Sequence, residues 1–284
     1  MGYGREWGKY VTLGEFIACG RQAEVFAWQD GAAPRKVLKL FFEGWDRETV
    51  QRELDISRTV AASLADAPAV YGDIVEHEGR FGIVYERVDG VSMIDVLASK
   101  PWRARSLGRR LAEIHAEAHK SKPTGLPGLK EKFARRINLT DKLSAGEKSR
   151  CLRMLESLPD GDTLFHGDFH PGNIILRGRD EASPAVIDWP NSATGDPLAD
   201  VAQTRMLIGI GWRALPRGRD RFLARWLTAF FNRSYTARYC ALTGASRSGI
   251  DRWQTVVAAA RLADNIQPER GHLLKIVQSG LAHA

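Results

Sequence analysis

Apolar residues between Tyr10 and Val88 come in short runs rich in Val, Ile, Phe and Tyr: "YVTLGEFIA", "AEVFAW", "KVLKLFF", "AVYGDIVEH" and "FGIVYERV". Turn signals such as Asp30-Gly31 and Glu78-Gly79 separate them, a pattern that predicts strands. One stretch breaks the rhythm. Between Asp46 and Ala65, Val50, Leu54, Val60, Ala61 and Leu64 recur at helical spacing, with Glu53 at the margin of the stripe, and this predicts a helix. After Asp89-Gly90 helical periodicity takes over. Leu107, Leu111, Ile114 and Ala118 share a face, and further helices are expected near 144–157, 197–211, 218–240, 250–264 and 270–280. The expected class is α+β: a small antiparallel sheet lobe with one helix over 1–88, a mainly helical lobe over 89–284, and a ligand cleft between them.

Composition narrows the function classes. The 284 residues, 44% of them hydrophobic, suffice for a large core. The longest nearly unbroken apolar stretch, "MLIGIGW" from Met206, is far too short to cross a bilayer, and the amino terminus lacks an apolar signal core. A cytoplasmic protein without a membrane partner is expected. "MGYGRE" has Glu6 where a myristoylation signal wants Ser or Thr. Cys19, Cys151 and Cys240 are too few and scattered for a disulfide framework or a thiolate metal site. A formal net charge of +7 raises nucleic acid as a partner. However, Phe222, Trp226, Ala229 and Phe230 follow the spacing of a buried helix face rather than of base-stacking platforms, so nucleic acid is not the expected ligand.

The chemistry concentrates in "HGDFHPGNIIL", His166 to Leu176. Asp168 and Asn173 are separated by a bend at Pro171-Gly172, so both side chains can face one point. A carboxylate there can accept the proton of an attacking hydroxyl while the amide oxygen holds a divalent metal on nucleotide phosphates. "AVID" then ends in Asp188, a second carboxylate at a strand terminus and a candidate main metal ligand. The competing reading is that Asp168 and Asn173 only satisfy the backbone of a turn. His115 and His119 in "HAEAH" lie one helical turn apart, a spacing able to hold zinc, but no glutamate directly follows the first histidine as zinc proteases require. Asp196-Pro197 reads as a helix start, with Asp200 placed to tie that helix to the loop.

"HGDFHPGNIIL" followed by "VIDWPNSATGDPLADVA" resembles the aminoglycoside phosphotransferase family of kinase-like small-molecule kinases, relatives of choline and homoserine kinases. The resemblance implies a two-lobed protein-kinase-like fold, ATP or GTP with magnesium, Asp168 as catalytic base, and Asn173 and Asp188 as metal ligands. It also implies that His166 braces the catalytic loop, with His170 doing the same or lining the pocket. In the small lobe it points to Lys39 in "KVLKLF" as the phosphate-binding lysine, Glu53 as its helix partner, and the backbone of Glu86 and Val88 as the adenine contacts. The phosphate loop departs from the pattern: "IACGRQAEVFAW" has Gly20 but then Arg21, Gln22 and Ala23.

Only "WPNSATG" separates Asp188 from Asp196, too little to lay out a polypeptide, so a small-molecule hydroxyl substrate is expected. From Val201 onward twelve arginines and one lysine stand against Asp220, Asp251, Asp264 and Glu269, a balance that favours a neutral or anionic acceptor over a polycation. A catalytically silent nucleotide-binding regulator is the alternative.

Overall fold

The computed structural model describes residues 13–28, 35–178, 183–211 and 219–283; Tyr10, the Asp30-Gly31 turn, Trp212 and Arg217 lie outside them. The chain divides into two compact units. One comprises the described residues of Met1–Gly90 and Ile175–Pro190, the other those of Val91–Ile174 and Asn191–Ala284. Chain order does not follow this division.

The first unit carries β1 (Leu13–Cys19), β2 (Ala23–Trp28), β3 (Lys36–Phe41), α1 (Arg47–Ser63), β4 (Val70–His77) and β5 (Arg80–Glu86). The strands form an antiparallel sheet ordered β1-β2-β3-β5-β4. Strand β3 is thus central, and Lys39 pairs with Val25 on one side and Ile83 on the other. Alternation along the strand sends Leu38 and Leu40 to one face, where they pack with Val75 and Val84. Phe41 goes to the opposite face and packs with Val50 and Leu54 of α1, and Lys39 shares that face. Asp46 opens α1 by accepting the N–H of Thr49 at 2.7 Å.

After β6 (Val91–Ser92), the second unit holds α2 (Met93–Ser99), α3 (Ala104–Ala118), α4 (Leu129–Leu139), α5 (Ala145–Ser157) and β7 (Thr163–Phe165). Strands β8 (Ile174–Arg177) and β9 (Ser183–Val186) follow the polar loop and, from Ile175 on, belong to the first unit. Then come β10 (Ala193–Gly195), α6 (Pro197–Gly211), α7 (Arg219–Thr243), α8 (Arg247–Arg261) and α9 (Gln267–Ala282). Strand β7 ends at Phe165, paired with Ala193 of β10, so the chain enters the polar loop from a fixed point. Ser144 and Glu147 close a reciprocal capping box on α5. Asp196 accepts the N–H of Leu198 at 2.8 Å as α6 begins. Among the described residues no helix is long and apolar enough to cross a membrane.

Two helices, α2 and α4, have no counterpart in the sequence reading. Helix α2 has seven residues, and α4 buries only Leu129, Phe133 and Ile137 in an otherwise polar run. The α7 stripe requires a correction: Phe222, Trp226 and Phe230 are 61%, 68% and 44% exposed. The helix carries two apolar faces about 100° apart. The one taken into the core runs through Phe231, Tyr235 and Tyr239.

Helices α3 and α7 meet at Gly108, where an added Cβ would lie 2.7 Å from the carbonyl oxygen of Phe231. Gly108→Val forces the helices apart and is expected to cost about 1–3 kcal/mol, read as a lowered urea midpoint.

Candidate active site

In the first unit, Lys39 Nζ lies 2.7 Å from Glu53 Oε1 and 2.9 Å from Asp188 Oδ1. Glu53, expected at the margin of the α1 stripe, is buried, and the Tyr85 hydroxyl sits 3.4 Å from the same oxygen. Burial disfavours the Lys39 ammonium, but Asp188 and Glu53 together outweigh it and hold the group well above the usual lysine range. Lys39 is therefore a permanent cation on a central strand, held between two carboxylates. Asp188 adopts φ +67°, a left-handed conformation that aspartate tolerates better than most residues.

Gly20 closes the β1–β2 turn by donating its N–H to Ala23 at 2.8 Å, and Arg21 beside it is exposed. An added Cβ at Gly20 would only touch the Ala23 oxygen at 3.5 Å, so the turn itself does not demand glycine. Glu86, at the end of β5, donates its N–H to Ala69 and accepts the Ala69 N–H on its carboxylate, while Arg87 donates to Arg35. Val88 follows as the chain leaves the strand.

The second unit builds the polar loop around Asp200, which is fully buried. Its carboxylate accepts the backbone N–H of His166 at 2.5 Å and of Gly167 at 3.1 Å. Gly167 has φ +80°, and an added Cβ would collide with Phe165 and Asn191, so this position does demand glycine. Gln203, one turn further along α6, donates to the Gly167 carbonyl. His166 Nδ1 accepts the N–H of Asp168 at 3.1 Å. His170 Nδ1 accepts that of Gly172 at 3.0 Å, and its Nε2 lies 3.6 Å from Asp168 Oδ2. Asn173 Nδ2 donates to the Asp168 carbonyl at 2.9 Å, which leaves the amide oxygen as the atom available to a cation.

Asp168 is partly buried, which by itself would raise its pKa. The His170 side chain, Arg261 and His166 outweigh burial and keep the carboxyl below its usual range, hence ionised at neutral pH. Arg261 Nη1 is 3.9 Å from Asp168 Oδ1. Sequence reasoning missed Arg261 and Gln203. The first was one of many arginines in a basic region, and the second carries no signal beyond its place on α6.

Beneath the loop, His115 Nε2 lies 3.2 Å and His119 Nε2 3.5 Å from Asp200 Oδ2, while their Nδ1 atoms meet the hydroxyls of Tyr235 and Tyr239 at 2.7 and 2.8 Å. His115 also stacks on Phe169 of the loop. Burial, reinforced by His119, pulls the His115 pKa from 6.5 down to about 3 against the pull of Asp200. His115 is thus neutral: Nε2–H donates to Asp200 and Nδ1 accepts from Tyr235. Burial would raise Asp200 itself, but its two histidine neighbours and bonds hold it well below the carboxylate range.

Two outcomes follow. Asp200→Ala strands two buried N–H groups and the histidines, and is expected to cost about 3–5 kcal/mol in chemical denaturation. Because the folded chain does not protonate His115 between its ordinary 6.5 and about 3, the unfolded chain binds the extra proton there, and stability falls as pH drops through that window. His115→Gln should flatten that part of the unfolding-versus-pH curve.

The family model of the phosphotransferase enzyme family (APH) matches residues 14–242. Acyl-CoA dehydrogenase family member 11 is 49% identical over 43 residues in Gallus gallus, 15% of this chain and 6% of that protein. In Homo sapiens it is 40% identical over 52 residues, 17% and 7%. The chain therefore spans only 6–7% of the length of these relatives. A crystal structure from Ralstonia eutropha JMP134, assigned to the aminoglycoside phosphotransferases, aligns over 98% of this chain and 91% of its own with TM-score 0.53 and 17% identity, a likeness of fold. The macrolide 2'-phosphotransferase MphH of Brachybacterium faecium aligns over 95% and 90% with TM-score 0.45 and 21% identity. Matched over residues 14–242, and with an antiparallel sheet unit and a helical unit, the chain belongs to the phosphotransferase enzyme family.

Proposed function

We propose that the chain transfers the γ-phosphoryl group of ATP or GTP to a hydroxyl of a small molecule in the cytoplasm, with Asp168 as the catalytic base. The observation that carries this is the loop itself: an ionised Asp168, steadied by His166, His170 and Asn173, on a backbone pinned by Asp200. As the acceptor oxygen bonds to phosphorus and the bond to the leaving nucleoside diphosphate breaks, the hydroxyl proton passes to Asp168. A carboxylate this acidic is a weak base, so it takes the proton late, once the new bond has made the hydroxyl acidic.

Lys39 supplies a fixed positive charge for the phosphates, and Glu53 sets its position. The backbone of Glu86 and Val88 receives the base edge, and Gly20 lies in the loop that covers the phosphates. The Asn173 amide and the Asp188 carboxylate are oxygen donors of the kind that suits magnesium. When bound, the ion neutralises phosphate charge. The acceptor is neutral or anionic rather than polycationic, because the region after Val201 is strongly basic.

Asp168→Asn should lower kcat by about 10²–10⁴ in a nucleotide-coupled ADP-release assay over a library of hydroxyl compounds, with the unfolding midpoint near wild type. Equal turnover in the variant would remove Asp168 from the mechanism.

A further inference from the structure

A small cavity in the second unit is lined by Lys132 and Arg136 of α4, Gly167 of the polar loop, Gln203, Arg261 at the end of α8, and one carboxylate, Asp264. It adjoins the catalytic loop through Gly167, and Arg261 reaches from its wall towards Asp168 at 3.9 Å. Three cations line one space, and two of them are neutralised locally. Arg136 is paired with Asp264 at 2.5 Å. Arg261 grips Glu269 through two hydrogen bonds of 2.7 and 3.0 Å and has Asp264 at 3.6 Å.

Lys132 differs. Its ammonium donates to the backbone carbonyl of Asn191, and among the described residues it has no carboxylate partner within salt-bridge distance. Burial, with Arg136 and Arg135 nearby, pulls its pKa from 10.5 down to about 7. Asp200 and Asp264 act on it only from beyond salt-bridge distance, and a half-buried ammonium so weakly compensated costs free energy that a bound anion would recover.

We infer that this cavity is an anion site with Lys132 as its principal donor, and that the acceptor is a hydroxyl compound carrying a carboxylate or phosphate group. The anion seats against Lys132, with the paired guanidinium groups of Arg136 and Arg261 bordering it. The hydroxyl then extends past Gly167 to Asp168. The acceptor half of the inference rests on the phosphotransfer reading; the anion site does not.

The test has a binding arm and a turnover arm. Thermal unfolding of wild type, Lys132→Met and Lys132→Arg is followed against inorganic phosphate and against acetate, with sodium chloride matching ionic strength. Wild type should be stabilised, and the arm that acts at lower concentration identifies phosphate or carboxylate. Lys132→Met should raise the apparent Kd about tenfold or more, and Lys132→Arg should retain most of the effect. Equal stabilisation of Lys132→Met and wild type, or no stabilisation of either, overturns the anion site. ADP release is then measured with glycerol, glycerate and glycerol phosphate, and with the wider hydroxyl library. Turnover confined to neutral or cationic alcohols overturns the acceptor class while phosphotransfer stands. Lys132-dependent anion binding with no turnover on any compound leaves the site and removes the phosphotransfer reading.

Discussion

One buried carboxylate organises the second unit. Asp200 has no exposed surface, and a lone ionised carboxylate in such a place would be expelled or protonated. It remains charged because backbone N–H groups of His166 and Gly167 and the imidazoles of His115 and His119 surround it. Those groups come from α3 with its C-cap and from the polar loop, while Asp200 itself is on α6, so none of the three can move without leaving the charge under-satisfied. The placement of Asp168 follows from this constraint, two residues beyond the first N–H that Asp200 holds. Tyr235 and Tyr239 extend the same network into α7 by fixing the ring nitrogens that face away from Asp200.

The first unit solves a different electrostatic problem. One ammonium is set between two carboxylates on the face of a sheet covered by α1, and the excess negative charge is left on Asp188, the more exposed of the two acids. The depth of Glu53 shields this pair from water. Phe41, Val50 and Leu54 exclude water around it, and Tyr85 and Ser57 extend the hydrogen bonding. Side chains distant in the chain meet here because Ile175–Pro190 folds with the amino-terminal residues.

Much of this was legible in the sequence, for identifiable reasons. Alternating runs defined all five strands of the main sheet, and the α1 stripe defined its helix, because period alone distinguishes the two. The loop from His166 to Asn173 was legible because polar residues bracketing a Pro-Gly bend have few structural uses. What stayed hidden depends on neighbours rather than on period. Helix α7 has two apolar faces, and nothing in its own residues says which of them α3 covers. Arg261 looks like any other exposed cation until the fold sets it 3.9 Å from Asp168, and Lys132 until it lines a cavity with Gly167. Glu53 seemed marginal on its helix because a helical wheel measures hydrophobicity and not the reach of a lysine from a neighbouring strand.

The backbone of Asp188 also bears on how this position can vary. Its left-handed φ favours aspartate, asparagine and glycine over bulky or β-branched side chains before any chemistry is considered. Of these three only aspartate carries a charge, so the backbone and the ion pair with Lys39 favour the same residue on separate grounds. An alanine there mixes two effects, whereas an asparagine changes the charge and leaves the turn intact, which makes it the cleaner probe of what the carboxylate does.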